Sequence, residues 1–257
     1  MPCLCYGKDT LGILTPVAAH PGSYGFRFFF GGESNRHVLV LSGSKTFVVL
    51  LIPSFSRSFR MTEIQIGIDE AGVGPLAGPL VAAVVALPYH LRLRGVKDSK
   101  KMTEKSRECV IDLIHQSALF YEVLFAQPEQ IDREGIWGAW KTLCTELITH
   151  VRDKFPEHEI LIDGNRTIGT LKHITPIVGG DTIHQCISAA SILAKQAQCG
   201  AMLDLHKKYP AYHFDQSKGY PTPDHYKTLE RYGPCLAHRK SYRPVQEASR
   251  HAGSKRG

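Results

Sequence analysis

The sequence predicts an α/β domain built on a mixed β-sheet, and three observations support this fold class. Residues 64–69 alternate isoleucine with polar or small residues, which is the period-2 pattern of a strand. Further apolar runs at 80–87, 120–125, 159–164 and 173–178 are bounded by glycine, proline or polar residues. Strands that come first as a pair and then alternate with helices favour helices packed on a mixed sheet.

Three helices are predicted between and after these strands. Thr103 is predicted to cap the first helix. Residues 128–154 predict a second helix, with a break near Gly135 or Gly138. Residues 187–209 predict a third helix, and its early small residues permit close packing against a neighbouring element.

The composition excludes several classes of protein. The chain has 257 residues and 43% hydrophobic content, enough for one sizeable core with a small appendage. No apolar run reaches the roughly 18 residues that span a bilayer, and the N-terminus lacks the layout of a secretion signal. Seven cysteines without a CxxC pair argue against a disulfide framework or a zinc site. We therefore expect a cytoplasmic protein without a membrane partner. We also expect it to be a monomer.

The net charge of +7 is unevenly distributed. Residues 1–60 carry six Lys/Arg and two Asp/Glu, and residues 216–257 carry nine Lys/Arg and three Asp/Glu. Residues 61–215 are mildly acidic, with 16 basic and 19 acidic side chains. A basic C-terminal section is typical of a surface that binds a polyanion, and equally of a solvated basic tail.

Residues 1–60 differ from the rest of the chain. They contain clusters of Pro, Gly and Ser and two short β-like stretches, at 37–41 and 46–52. Met61 directly precedes the first convincing strand, so we predict that it is the natural start and that residues 1–60 are upstream sequence. The alternative is a small β-rich appendage that binds substrate. The predicted division of the chain is an extension, a main domain and a disordered basic tail, at 1–60, 61–246 and 247–257.

Asp69 and Glu70 lie at the end of the first predicted strand of the main domain, directly before a glycine-rich turn. Two carboxylates about 4 Å apart repel by roughly 4 kcal/mol at a surface-like dielectric. A cation usually offsets such repulsion, and a hard divalent metal ion is the common choice.

Asp163 and Asp181 also follow apolar runs and lie beside glycines. Taken singly, Asp163 is as typical of a turn and Asp181 of a helix cap. Together with Asp69 and Glu70, they place four acids at three strand ends, which converge if the strands share a sheet. Oxygen ligands suit Mg²⁺ or Mn²⁺ better than zinc. Two such ions about 4 Å apart activate water and stabilise a leaving alkoxide in phosphodiester hydrolysis.

A set of short motifs across residues 64–245 resembles the ribonuclease HII family, and the motifs occur in the family's order. The opening motif is Gly67-Ile68-Asp69-Glu70-Ala71-Gly72 with Gly74-Pro75-Leu76-Ala77-Gly78-Pro79. The later motifs are Asp98-Ser99-Lys100-Lys101, Asp163-Gly164-Asn165, Gly180-Asp181, Ser188-Ala189-Ala190-Ser191-Ile192-Leu193-Ala194-Lys195, Lys218-Gly219-Tyr220 with Thr222 and His225, and His238-Arg239.

The resemblance implies a ribonuclease H-like fold: a five-stranded mixed sheet flanked by helices, with a helical C-terminal section. It implies an endoribonuclease that hydrolyses the RNA strand of RNA–DNA hybrids and leaves 5′-phosphomonoesters. It also implies incision 5′ to single ribonucleotides embedded in duplex DNA. The family's catalytic and metal-binding acids, which hold two Mn²⁺ or Mg²⁺ ions, fall on Asp69, Glu70, Asp163 and Asp181.

The resemblance also implies a set of contacts to the substrate. Backbone groups of Gly72, Val73 and Gly74 would read the ribose 2′-hydroxyl, which distinguishes RNA from DNA. Tyr220 would stack on the neighbouring deoxyribose. Contacts to phosphate and backbone would come from the remaining motif residues. These are Ser99, Lys100, Lys101, Asn165, His238 and Arg239, with His225 as a further candidate.

The sequence departs from the family's pattern at two places. Val73 stands where the family usually has Arg or Lys, so a cationic contact is lost and we expect weaker substrate binding or an altered junction preference. Gln198-Cys199 stands in place of an Arg-Asp pair, and we interpret it as helix packing and polar support.

Trp137 and Trp140, three residues apart on a predicted helix, are predicted to lie in the core.

Three alternative functions fit the residues less well. Ribonuclease HIII has an N-terminal substrate-binding appendage and typically Glu at the fourth acid, so Asp181 argues against it. A catalytically silent hybrid-binding protein would not need all four acids. Another nuclease or resolvase with the ribonuclease H fold would not need the glycine turn together with Tyr220.

Overall fold

The structure is a computed structural model, and it describes residues 26–27, 36–43, 46–53, 64–93, 104–169 and 171–254. The chain separates into two compact units, Met1–Ser58 and Phe59–Gly257. No helix in the described part of the chain is both long enough and apolar enough to cross a membrane.

The first unit contains a three-stranded antiparallel sheet in the order β1-β2-β3. Its strands are β1 (Phe26–Arg27), β2 (Arg36–Gly43) and β3 (Thr46–Pro53). The β-like stretches predicted at 37–41 and 46–52 are confirmed as β2 and β3. The origin and role of residues 1–60 stay a prediction.

The second unit is built on a five-stranded mixed sheet in the order β6-β5-β4-β7-β8, which confirms the predicted fold class. The central strand β4 pairs antiparallel with β5 and parallel with β7. The strands are β4 (Ile64–Ala71), β5 (Leu80–Pro88), β6 (Phe120–Ala126), β7 (Ile160–Asp163) and β8 (Ile174–Ile177). The helices are α1 (Glu104–Ser117), α2 (Pro128–Lys154), α3 (Gly180–Ile183), α4 (Gln185–Lys208), α5 (Phe214–Ser217), α6 (Pro223–Tyr232) and α7 (Arg243–Ser254).

The two faces of β4 pack against different helices because side chains alternate along a strand. Ile66 and Ile68 are fully buried in the core that includes residues of α2. On the other face, Gly67 lets α4 approach the strand backbone. A Cβ at Gly67 would lie only 2.4 Å from the amide nitrogen of Ile187.

The predicted break in α2 is confirmed at Gly135, whose φ is +72°.

The C-terminal section packs a third core cluster next to the glycine turn that follows β4. Ala77 in the turn pairs with His238 in an isolated antiparallel bridge. The amide of Arg239 donates to the carbonyl of Leu76 at 2.9 Å. Helix α7 continues to Ser254, into the segment predicted as a disordered tail from residue 247. Val245, near the start of this helix, is fully buried. The disordered tail over residues 247–257 stays a prediction.

Candidate active site

Asp69 and Glu70 lie near the C-terminal end of the central strand, on opposite faces of the sheet. Asp69 is only 6% exposed, and its Oδ1 accepts a hydrogen bond from the amide of Glu70 at 2.7 Å. The hydroxyl of Ser191 on α4 also bonds to the Asp69 carboxylate. On the α2 face, the indole Nε1 of Trp140 donates to Glu70 Oε2 at 3.1 Å. Each acid is therefore oriented by a different helix.

Asp163 reaches the same edge of the sheet through the parallel strand β7. The register pairs Ile68 with Ile162, so Asp163 comes immediately after the paired positions, as Asp69 does. Its Oδ1 is buried and has no hydrogen-bond partner among the described residues. A buried carboxylate oxygen without a donor is costly, and a bound cation would satisfy it.

The acids at this edge influence one another's pKa values. Burial raises the pKa of Asp69 well above its usual range, and the charges of Glu70 and Asp163 raise it further. Burial also raises the pKa of Glu70, against the opposing effects of the Trp140 hydrogen bond and the Arg166 charge. The folded protein therefore holds negative charge here at a cost in free energy, which a cation would relieve.

Asp181 lies in the short helix α3, directly beyond the end of β8. Gly180 makes this turn tight, since a Cβ there would lie 2.5 Å from the side chain of Ile187. The Ser188 hydroxyl donates to the backbone carbonyl of Asp181 and ties α3 to the first turn of α4. The fourth acid is therefore carried on a segment fixed to the helix that also supports Asp69.

The chemistry of the four predicted ligands fits a hard divalent cation, although their side chains are not already arranged in a metal-binding geometry. No three or more His, Cys, Asp or Glu side chains among the described residues are grouped closely enough to hold a metal ion. All four predicted ligands offer carboxylate oxygens, which suit Mg²⁺ or Mn²⁺. The Asp163 Oδ1 has no hydrogen-bond partner among the described residues, and the pKa values of Asp69 and Glu70 are raised. Carboxylates that bind a cation are expected to show both features when the cation is not bound.

Three side chains next to the acids were not predicted as site residues: Trp140, Ser191 and Arg166. Trp140 is buried as expected, but its indole N–H needs a partner and finds one in Glu70.

The core prediction for Trp137 is wrong. Trp137 is 40% exposed, and the guanidinium carbon of Arg166 lies 3.4 Å from its ring centroid. Packing on Arg166 at the surface replaces packing in the core.

The glycine turn after β4 brings backbone groups close to Tyr220. Gly72 has a φ of +91°, and a Cβ there would lie 2.7 Å from the Pro79 carbonyl oxygen. A Cβ at Gly74 would lie 3.3 Å from Tyr220 Cε1, so the tyrosine ring lies directly over this glycine. The Tyr220 ring is 38% exposed, while Val73 packs against the core on the α2 side.

His238 and Arg239 lie behind this turn. Both are buried, and the Arg239 guanidinium donates to the carbonyls of Gly72 at 2.6 Å and Val73 at 3.0 Å. Its Nε donates to the carbonyl of Gly78 at 3.0 Å. This arrangement leaves the guanidinium facing protein, so we assign Arg239 a role in holding the turn. Direct substrate contact by His238 and Arg239 stays a prediction that burial does not favour.

The remaining predicted contacts lie at different places in the molecule. Ser99, Lys100 and Lys101 lie outside the described residues. Asn165 is exposed next to Gly164, beyond the end of β7. Gln198 is fully buried and donates to the Lys218 carbonyl at 3.3 Å, in line with its predicted packing and polar support.

Comparisons with known proteins place these features in one family. The family model described as "Ribonuclease HII" matches residues 66–245. Ribonuclease HII of Idiomarina loihiensis is 42% identical over 183 residues, which cover 70% of this chain and 95% of the relative.

Solved structures show the same fold. The ribonuclease HII of Archaeoglobus fulgidus, solved in complex with PCNA, is 28% identical with a TM-score of 0.61 and covers 72% of this chain and 96% of its own. The Bst ribonuclease HIII, solved with Mn²⁺, has a TM-score of 0.61 at 14% identity, covering 95% and 94% of the two chains, and shows the fold alone. With a family model matched over most of its length, the chain belongs to the ribonuclease HII family and is an endoribonuclease that acts on RNA–DNA hybrids.

Proposed function

We propose that this endoribonuclease also incises duplex DNA on the 5′ side of a single embedded ribonucleotide. The observation that carries the proposal is the position of Tyr220 over Gly74. The turn offers main-chain groups that can recognise a ribose 2′-hydroxyl. The half-exposed ring offers an apolar surface for the neighbouring deoxyribose. The two surfaces are adjacent, which suits a junction between one ribonucleotide and DNA.

Asp69, Glu70, Asp163 and Asp181 would hold two Mn²⁺ or Mg²⁺ ions. When bound, such ions supply an activated water and stabilise the leaving 3′-oxygen in phosphodiester hydrolysis. The protein's own contribution is orientation. Ser191 and the amide of Glu70 fix the Asp69 carboxylate, and Trp140 fixes Glu70. The proposed catalytic unit is a monomer, because one chain carries all four acids, the glycine turn and Tyr220.

The test is cleavage of a DNA duplex with one embedded ribonucleotide by the full-length chain, with Mg²⁺ or Mn²⁺ in separate reactions. We expect incision 5′ to the ribonucleotide, and no cleavage of the same duplex made entirely of DNA. Cleavage restricted to long RNA–DNA hybrids would contradict the proposal and favour the specificity of ribonuclease HIII.

Replacing Val73 by Arg is expected to lower KM for the single-ribonucleotide duplex. A new cation beside the turn would add a phosphate contact, worth about threefold to tenfold in affinity at low salt. KM should be measured at two salt concentrations, because the gain must shrink as salt rises. Val73→Met is the matched control, with comparable bulk and no charge. Equal KM values for wild type and Val73→Arg would overturn the interpretation of this departure.

Replacing Trp140 by Phe is expected to weaken Mn²⁺ binding by about tenfold, the usual cost of losing a hydrogen bond to a metal ligand. The Trp140 bond favours the ionised form of Glu70, so its loss raises the pKa of a ligand that must be ionised. Calorimetric titration with Mn²⁺ measures the change without substrate. Trp137→Phe is the control, because the indole of Trp137 stacks on Arg166 instead. Equal Mn²⁺ affinity in the two variants would argue against this role.

A further inference from the structure

A continuous chain of hydrogen bonds runs through the C-terminal section to the backbone of Tyr220. The Tyr220 carbonyl lies 2.9 Å from His225 Nδ1. His225 Nε2 lies 3.0 Å from His238 Nε2. His238 Nδ1 in turn lies 3.0 Å from the amide nitrogen of Cys235 and 3.2 Å from its Sγ. Both imidazoles are 1% exposed.

The two ends of the chain fix the direction of every hydrogen bond within it. A main-chain amide can only donate, so His238 Nδ1 must accept from Cys235 and His238 carries its proton on Nε2. That proton is donated to His225 Nε2, so His225 carries its own proton on Nδ1. The carbonyl of Tyr220 can only accept, and it receives this last proton. One pair of tautomers therefore satisfies all the contacts.

The surroundings keep both rings neutral. His225 and His238 pack against the ring of Phe214, and His238 also packs edge-on against Tyr212. The titratable groups facing the pair are Tyr212 and Cys235. The Tyr212 hydroxyl is already used, donating to the Gly233 carbonyl at 2.7 Å. Burial lowers the pKa of His225. Burial and the nearby His225 ring together lower the pKa of His238 to about 4. At neutral pH the chain of bonds is therefore intact.

The last bond fixes a residue whose ring belongs to the proposed recognition site. The Tyr220 amide donates to the carbonyl of Ser217 at 2.9 Å, and the carbonyl of the preceding Gly219 accepts from the amide of Leu76 in the turn at 2.7 Å. On the carbonyl side, Tyr220 accepts from His225 Nδ1 and also from the amide of Thr222 at 2.8 Å, so His225 is one of two donors there. The backbone that carries the ring over Gly74 is thus held from both sides.

We propose that His225 and His238 are positioning residues that set the location of Tyr220 over the glycine turn, and so tune recognition of the DNA side of the ribonucleotide junction. This inference rests on the proposed function of Tyr220. It goes beyond a general role in stability, because it predicts which atom of His238 matters. The Nε2 donor, which leads to Tyr220, should affect substrate recognition more than the Nδ1 acceptor.

Two substitutions of His238 separate these atoms. In His238→Asn, the short side-chain amide can replace Nδ1 towards Cys235 but cannot reach His225. In His238→Gln, the longer amide can replace the Nε2 donor to His225. We expect His238→Asn to raise KM for the single-ribonucleotide duplex by about tenfold with little change in kcat, and His238→Gln to stay within about threefold of wild type. Equal KM values for the two variants would overturn the inference.

Stability and coupling provide the controls. Tyr212→Phe removes a buried hydrogen bond from the same cluster without touching the chain to Tyr220, and it should lower Tm while leaving KM unchanged. If the chain acts through the tyrosine, His238→Asn should have no further effect on KM in a Tyr220→Ala background. Additive effects of these two substitutions would contradict the inference.

The tautomers offer a test that needs no cleavage. Nitrogen-15 NMR of the wild-type chain should show His225 protonated at Nδ1 and His238 at Nε2 at neutral pH. The opposite tautomers would overturn the inference even if the enzyme cleaves its substrate. Failure of the wild type to cleave the single-ribonucleotide duplex would instead reject the proposed function. In that case the affinities of His238→Asn and His238→Gln for the intact duplex, compared by fluorescence anisotropy, decide whether the pair tunes binding.

Discussion

Asp69→Asn is expected to abolish cleavage while raising the thermal stability of the metal-free protein. The loss of activity should reach about 10³-fold or more, because the substitution removes a carboxylate from the proposed cation site, where metal chemistry supplies several kcal/mol of the rate enhancement. The gain in stability follows from burial. Asp69 is only 6% exposed, and its carboxylate lies close to those of Glu70 and Asp163. Asparagine has nearly the same shape as aspartate but carries no charge.

The pH dependence of stability gives an independent test of the same charge. Because the pKa of Asp69 is higher in the folded state than its ordinary value of 3.8, the folded protein holds this proton more tightly than the unfolded chain does. The contribution of Asp69 to stability is therefore complete below pH 3.8 and is lost as the pH rises through the folded-state pKa. The metal-free Asp69→Asn protein should lack this part of the pH dependence.

The measurement is Tm in EDTA and in excess Mn²⁺, for wild type and Asp69→Asn. In EDTA the variant should melt higher, by about 2–4 °C for each kcal/mol of relieved repulsion in a domain of this size. In Mn²⁺ the order should reverse, since binding to the folded state stabilises only the protein that keeps its ligands. A variant that melts lower than wild type in EDTA would contradict this account.

Asp132→Asn is the matched control for that experiment. The carboxylate of Asp132 accepts from the amides of Lys240 at 2.9 Å and Ser241 at 2.7 Å. It is held by donors instead of facing other acids, so loss of its charge should lower Tm in both buffers. Opposite signs at the two aspartates would show that the effect at Asp69 comes from its surroundings and not from the substitution itself.

The parts of the fold that sequence patterns predicted are those encoded locally. The alternating isoleucines predicted β4, and the glycines in residues 128–154 predicted a break that occurs at Gly135. The meeting of Asp69 with Asp163 was also predictable, because each ends an apolar strand and the ends of parallel strands share one edge of a sheet.

The supporting contacts of the site could not be predicted in the same way. Trp140 meets Glu70 across 70 residues of sequence, and Arg239 meets the Gly72 carbonyl across 167. Neither pair has a local signature, because each depends on how one helix or loop is placed over another. The motif containing His238 and Arg239 indicated a role near substrate, but only the packing shows that their polar atoms face the protein interior.

Replacing Arg239 is expected to have the largest effect on stability in the C-terminal section. Its guanidinium is fully buried and donates to the carbonyls of Gly72, Val73 and Gly78. The Val73 carbonyl keeps a second donor, the Tyr242 hydroxyl at 3.2 Å. Removing a donor from a buried acceptor costs about 1–3 kcal/mol, so the two carbonyls left without a donor, those of Gly72 and Gly78, predict a loss of about 2 kcal/mol or more. Arg239→Lys should not rescue it, because an ammonium group is a compact charge without the planar fork that serves three acceptors.

The effect on recognition should accompany the effect on stability. Two of the three carbonyls, those of Gly72 and Val73, belong to the turn that is proposed to read the ribose. Among the described residues, Arg239 is the only donor to the Gly72 carbonyl. We expect Arg239→Lys and Arg239→Met to raise KM for the single-ribonucleotide duplex by about tenfold or more, measured at a temperature where both variants remain folded.

Arg243→Lys tests whether any arginine in this section would behave alike. Arg243 has an 88% exposed side chain and pairs with Glu247 at 2.7 Å one helical turn away. Its replacement should leave Tm close to that of the wild type and KM unchanged, because an exposed ion pair contributes little to stability. If Arg239→Lys were as mild as Arg243→Lys in both measurements, the buried guanidinium would not be what holds the turn. A large loss confined to Arg239 would tie the order of the recognition turn to one side chain contributed from the other end of the domain.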